Sequence, residues 1–208
     1  MFTGIVETAG RVVAVEDDAG GRRLRVRASG LDDLHHGQSI SVSGVCLTVE
    51  AFESGSKADD DRWFEVFLAG ETVDKTYLGD VSVGDAVNIE RAMAADGRFD
   101  GHVVQGHVDT VTTVSDIEQV GDDWRFTFEL PDGYGQYIVD KGSICLDGIS
   151  LTVAAIDREA GCFEVAIIPT TYELTTLREK SAGDPAHVEV DVIAKYVENM
   201  LDGYQNGS

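Results

Sequence analysis

The chain has 208 residues, enough for one large domain or two of about 100 residues, either of which can bury a core. Its net charge is −22, from 38 acidic and 16 basic residues, so a nucleic acid backbone would be repelled and no nucleic acid partner is expected. An acid excess of this size suits a salt-rich cytoplasm, where ions screen the self-repulsion.

No stretch approaches the roughly 20 apolar residues of a membrane span. The opening MFTGIVETAG lacks the basic head and long apolar core of a signal peptide, so neither membrane nor secretion is expected. Cys46, Cys145 and Cys162 are odd in number and widely spaced, without a C-x-x-C pair. That pattern gives neither a zinc ribbon nor a disulfide framework and points to a reducing cytoplasm. The run Asp59-Asp60-Asp61 lacks the glycine turn of a calcium loop, and no metal is expected.

Short β-branched runs, 23 glycines and only 3 prolines predict an all-β chain. Thr3–Val15 reads as one extended segment with bends or bulges at Gly4 and Gly10. Arg22–Arg27 alternates basic and apolar residues, as a half-buried strand does. Leu31–His36 reads as a short helical turn stopped by Gly37, and Ser39–Phe52 as the longest strand. A polar loop spans Glu53–Asp61, followed by a strand at Trp63–Leu68, a helical turn at Gly70–Gly79 and a strand at Val87–Arg91. Ala94–Gly101 links onward.

The pattern then restarts. Gly106-His107-Val108-Asp109-Thr110 echoes Gly4-Ile5-Val6-Glu7-Thr8. A strand at Trp124–Leu130 and a helical turn at Tyr134–Val139 follow. SICLDGISLTV at 143–153 repeats SISVSGVCLTV at 39–49, with Gly148 offset from Gly44 by 104 residues. After a strand at Cys162–Ile168, Thr170–Leu177 reads as a turn with a capping-box pattern from Thr170 to Glu173. Here the offset is 99, as it is from Glu90 to Glu189, which places about five extra residues in the 53–61 loop. The chain is thus a duplication of two small closed antiparallel barrels of about six strands each, at 1–102 and 103–190. A helix at 191–204 carries an apolar stripe at 192, 193, 196, 197, 200 and 201, with Asp191, Lys195, Glu198, Asn199 and Asp202 facing away. It either packs on its own barrels or associates with copies of itself.

Chemistry is sought where the copies differ. Cys46 corresponds to Ser150, Ser43 to Asp147, Ile5 to His107 and Ala92 to Asp191. Two like pockets in unlike dress suit two similar molecules used in different roles. Cys46 is either a small core residue or a nucleophile. Ser150 and Thr152 share the face opposite Leu151, where they pair with backbone or line a pocket. His107 is a structural histidine or a proton handler. Asp191 is a helix cap or a catalytic acid. Lys141 reads as a turn lysine, and Thr72 and Thr171 as turn caps.

The segments MFTGIVE, GVCLTV, GETVDKTYLG, GHVVQGHVDT, KGSICLDGISLTV and IIPTTYELTTL together resemble the alpha-chain type of riboflavin synthase, from Met1 to about Leu201. The resemblance implies two six-stranded Greek-key barrels and a C-terminal helix assembling a homotrimer. It implies dismutation of two 6,7-dimethyl-8-ribityllumazine molecules to riboflavin and 5-amino-6-(D-ribitylamino)uracil, with no cofactor, at sites formed between protomers. A functional link to lumazine synthase goes with it. Ligand contacts carried over fall on Gly4, Ile5, Val6, Ser39, Cys46, Leu47, Thr48, Ala69, Gly70, Glu71, Thr72, Val73 and Asp74 for the first barrel. For the second they fall on Gly106, His107, Val108, Lys141, Ser150, Leu151, Thr152, Ile168, Pro169, Thr170, Thr171, Tyr172 and Glu173. Cys46, His107, Ser150, Thr152 and Asp191 are the catalytic candidates. Thr170 stands where the family usually has an acidic residue, and Gly70 where a polar one is common. A lumazine or flavin carrier of the same superfamily, without catalysis, is the alternative.

Overall fold

The computed structural model describes residues 1–18, 20–53 and 62–205, with side chains to 201. The first half supplies β1 (Thr8–Asp18), β2 (Gly21–Arg27), β3 (Ser39–Val42), β4 (Val45–Phe52), β5 (Trp63–Ala69), α1 (Gly70–Lys75) and β6 (Ala86–Arg91). The second supplies β7 (Thr110–Val120), β8 (Asp123–Glu129), β9 (Ser143–Leu146), β10 (Ile149–Asp157), β11 (Cys162–Ile167), α2 (Pro169–Leu174) and β12 (Pro185–Val190), then α3 (Val192–Gln205). Each half closes into an antiparallel barrel, β1-β2-β5-β4-β3-β6 and β7-β8-β11-β10-β9-β12. The strand order is the same in both, and closure leaves no unpaired edge.

Alternation fills the barrels. Leu24, Val26, Phe64, Val66 and Leu68 are fully buried in the first, and Phe126, Phe128, Phe163 and Val165 in the second. Even the irregularities repeat: register shifts fall at Val12/Ala14 and Val49/Ala51, and again at Val114/Asp116 and Val153/Ala155.

Several expectations are corrected. Ser39–Phe52 and its repeat are not single strands but hairpins. Ser43 (φ 46°) with Gly44 (φ 85°), and Asp147 (φ 48°) with Gly148 (φ 79°), form two-residue turns of the doubly left-handed kind that suits a twisted hairpin. The first strand starts at Thr8, not Thr3, and residues 2–6 form an arm outside the barrel ladder. Gly10 is no bulge; a Cβ there would lie 2.6 Å from Ile89 Cδ1, so the glycine serves close packing. Residues 31–36 hold turns rather than a helix. The capping box at Thr170 does not form, because Ile168 is the N-cap of α2 and Pro169 its first residue. Thr72 and Thr171 cap nothing; their carbonyls accept from Thr76 Oγ1 and Thr175 Oγ1. The expected insertion in the 53–61 loop falls at 54–61, outside the described residues.

Of the two dispositions open to the apolar stripe of the terminal helix, packing on its own barrels is not the one seen. Lys195 reaches Asp109 at 2.6 Å and Glu198 accepts from the Tyr137 hydroxyl, so this polar side faces the second barrel. Ile193, Tyr196, Val197, Met200 and Leu201 are exposed. No helix of the described residues is long and apolar enough to cross a membrane.

Candidate functional site

The two halves exchange arms. Phe2 and Val104 pair by reciprocal N–H···O bonds of 2.7 and 3.2 Å, and with Cys145 they form a small buried cluster against Cys46. Beyond that bridge each arm runs along the other half's motif. Ser150 N–H donates to Gly4 O at 2.7 Å, and Cys46 N–H to Gly106 O at 2.8 Å. Glycine is required at both arm positions. Gly4 (φ +75°) and Gly106 (φ +80°) are left-handed, and a Cβ on them would lie 2.7 Å from Ser150 Cβ and 2.5 Å from Cys46 Cβ.

Two buried glutamates hold the arms. Glu90 accepts from Thr3 N–H, Thr3 Oγ1 and Gly4 N–H at 2.7, 2.9 and 3.0 Å. Its repeat mate Glu189 accepts from the N–H groups of Gln105, Gly106 and His107 at 2.7, 2.9 and 3.0 Å. Burial pushes both carboxyls up and these bonds pull them back.

The exchange rearranges the expected pockets. Gly4, Ile5 and Val6 flank the second motif, and Val6 packs on the second core. Gly106, His107 and Val108 flank the first, and Val108 packs on the first core. Val108 also shares a cleft of about 570 Å³ with Lys75 of α1 and with Tyr134. Cys46, Leu47 and Thr48 therefore stand on β4 near the 106–108 arm, with Ala69 ending β5 and Gly70 to Asp74 in α1. Ser150, Leu151 and Thr152 stand on β10 near the 4–6 arm, with Ile168 to Glu173 on and before α2. Leu47 and Leu151 point into the cores while Thr48 and Thr152 are exposed. Tyr172 of α2 stacks on Trp124 at 4.3 Å, which fixes the second turn to its barrel. The first turn has no aromatic partner for Val73 at the matching position; Val73 packs on the first core instead.

The closest catalytic-type contact involves a residue not singled out in the sequence. His102 Nδ1 lies 2.6 Å from Ser150 Oγ, and the ring is buried. Burial lowers its pKa from the ordinary histidine value, while the Asp191 carboxylate pulls it upward. Ser150 and His102 thus form an array of a hydroxyl and a buried neutral imidazole, with the Asp191 charge favouring the imidazolium. Asp191 also accepts from Ile193 N–H at 2.9 Å, so it caps α3. His107, the histidine expected to handle protons, is exposed beside the first motif. His102 precedes the arm segment, Gly106 to Thr110, that repeats Gly4 to Thr8.

The other candidates are peripheral to that array. Ser39 and Ile5 line a cavity of about 650 Å³ with Thr3, Glu7, His35 and Arg91. Lys141 (φ 60°) sits in the turn before β9, and its ammonium donates to Ala154 O. Cys145 is buried, and burial with Glu189 and Glu90 nearby pushes its thiol well up, so it is an inert core group. Cys46 is half-buried.

Comparison with known proteins agrees with this architecture. The Lumazine binding domain family matches residues 3–92 and again 105–191. A riboflavin synthase of Mycobacterium bovis is 42% identical over 97% of this chain and 98% of its own length. Those of Meyerozyma guilliermondii and Bacillus subtilis are 39% and 37% identical over 97% of this chain, covering 86% and 90% of theirs. Among solved structures, LumP complexed with riboflavin aligns with a TM-score of 0.79, covering 91% of this chain and 99% of that one, at 21% identity. Both repeats and nearly the whole length being matched, the chain belongs to the riboflavin synthase family, built of two lumazine-binding repeats.

Proposed function

We propose that the protein is a riboflavin synthase, a transferase that moves a four-carbon unit between two 6,7-dimethyl-8-ribityllumazine molecules. The products are riboflavin and 5-amino-6-(D-ribitylamino)uracil. Atoms and electrons balance within this dismutation, so it calls for no external oxidant and no cofactor. The Ser150–His102 contact of 2.6 Å carries the reading, because the reaction needs a base to take a proton from the C7 methyl of one lumazine. A buried, neutral His102 is suited to accept it, directly or through Ser150, and Asp191 stabilises the imidazolium. Cys46, in the matching place of the other motif, is the nucleophile or water-positioning group for the second lumazine, with Thr48 and His107 beside it. Main-chain groups of the two arms read the ring edges, and the α1 and α2 turns hold the ribityl chains.

The assembly we propose is a homotrimer with active sites between protomers. The exposed apolar stripe of α3 supports it, since self-association would cover that face.

Incubation of the purified protein with the lumazine tests the reading. One riboflavin is expected for every two lumazines consumed, followed by its fluorescence. Tight lumazine binding without riboflavin would make the protein a carrier instead. Light scattering reads the assembly, and a single-protomer mass in high salt removes the trimer.

A further inference from the structure

At the tips of the two motif hairpins a buried polar cluster joins the barrels, away from the Ser150–His102 contact. Its members are matched between halves: Ser43 with Asp147, Asn88 with His187, and Tyr77 with Thr176. Three hydrogen bonds repeat. The Asn88 carboxamide donates to Asp147 O at 2.9 Å, and His187 Nδ1 lies 2.7 Å from Ser43 O. Thr176 N–H donates to Asn88 Oδ1 at 2.8 Å, and Tyr77 N–H to His187 Nε2 at 3.0 Å. Asn88 N–H donates to Ser43 Oγ at 3.1 Å, and His187 N–H to Asp147 Oδ1 at 2.8 Å. One half therefore does with an imidazole what the other does with a carboxamide.

The two groups differ in one respect. A backbone N–H can only donate, so the bond from Tyr77 requires Nε2 to be bare, and Nδ1 carries the hydrogen given to Ser43. A second proton would set two N–H groups against each other at Nε2. A carboxamide has no such second state. The groups facing the ring are Tyr77, Asp147 and Lys180. Tyr77 stacks on it at 3.8 Å, Asp147 Oδ1 lies 3.8 Å from Nδ1, and the Lys180 ammonium sits 2.8 Å from Asp147 Oδ2. Lys180 already balances Asp147, so an imidazolium here would lack a free counter-charge. Burial pushes His187 below the ordinary value, Asp147 and the Ser43 carbonyl pull it up, and Lys180 pushes it down.

This cluster reaches both sites. Gly44 and Gly148 touch back to back, a Cβ on either falling 2.8 or 2.7 Å from the other's backbone nitrogen. Cys46 and Ser150 follow each tip on β4 and β10, and Tyr77 follows α1. We propose that His187 is a positioning residue for riboflavin formation. Neutral, it ties the first hairpin tip and the end of α1 to the second barrel and fixes how Cys46 and Ser150 are spaced; a proton on Nε2 breaks the Tyr77 bond and loosens that tie. The inference rests on the synthase reading above.

The test is His187→Asn, which gives the second half the carboxamide of the first. Riboflavin formation is measured between about pH 5 and pH 8 on wild-type and variant. His102 contributes an acid limb to both, so the quantity compared is kcat at about pH 5.5 relative to about pH 7.5. That ratio is expected to be higher in the variant, by a factor that grows as the acid reading is lowered toward about pH 5, because only the wild-type joint takes up a proton. Nitrogen-15 NMR of the wild-type ring is expected to show the Nδ1–H tautomer at neutral pH, a reading that needs no variant to fold. Equal ratios in the two proteins, or an Nε2–H tautomer, overturns the proposal. Absence of riboflavin from the wild-type at pH 7.5 instead sinks the synthase reading, and the tautomer alone then judges the joint.

Discussion

Replacing Gly106 by alanine tests whether the arm of one half shapes the motif of the other. The new Cβ would lie 2.5 Å from Cys46 Cβ, 2.9 Å from Cys46 N and 3.0 Å from the Phe2 ring. Carbon atoms rest about 3.5 Å apart or more, so the arm and the start of β4 must separate by about 1 Å. The left-handed backbone at φ +80° adds about 1–2 kcal/mol for a residue with a Cβ, and overpacking about 1–3 kcal/mol. The sum, about 2–5 kcal/mol, corresponds to a fall in Tm of about 4–20 °C in a chain of this size. A displacement of about 1 Å at a reacting group costs about a hundredfold in rate. Gly30 is the control, because it has φ +78° but nothing within 4 Å of its added Cβ. Gly30→Ala should show only the backbone cost of about 1–2 kcal/mol and full turnover. Thermal melts and riboflavin formation are measured on both. If Gly106→Ala costs no more stability than Gly30→Ala and turns over normally, the arm does not set the position of Cys46.

Ser150→Ala and His102→Ala should each slow the reaction about a hundredfold or more, and the double variant should be no worse than the slower single one by more than a few-fold. Multiplying losses would mean that the two act separately. Because burial lowers His102, its neutral form persists on the acid side of the ordinary histidine value, and the rate should hold until the pH falls below about 6.5. Glu189→Gln should cost about 1–3 kcal/mol in urea unfolding, since the carboxamide keeps one acceptor oxygen and sets its NH2 against at least one of the three N–H groups that Glu189 serves. An unchanged midpoint would remove the clamp from the account of the arm.

The repeat was plain in the sequence because it is a matter of identity in register, and the all-β class because short β-branched runs carry it. The hairpin turns were also written there, as Ser43-Gly44 and Asp147-Gly148. The flanking residues are apolar on both sides, so each hairpin has the pattern of one long strand. The crossing of the arms has no local signature; it rests on bonds between residues as distant in sequence as Gly4 and Ser150. The stripe of α3 could be read from its period, but periodicity says which residues share a face, not which way the face points. Lys195 meeting Asp109 decides that, and it is a long-range fact. A difference between halves marks only residues within the repeated segments, and His102 lies before the repeated arm segment.

The exchanged arms give the molecule the anatomy of a two-fold dimer fused into one chain, each half completing the other as swapped subunits do. In a dimer of identical subunits both sides must carry the same residue, so Cys46 could not face a pocket different from that of Ser150, nor Asn88 pair off against His187. Fusion lifts that identity while keeping the interlocked geometry. A half expressed alone would lack the Phe2–Val104 bridge and the other half's arm unless it paired with a second copy of itself. Unlike residues at matched places within one interlocked body are thus the consequence of joining the copies end to end.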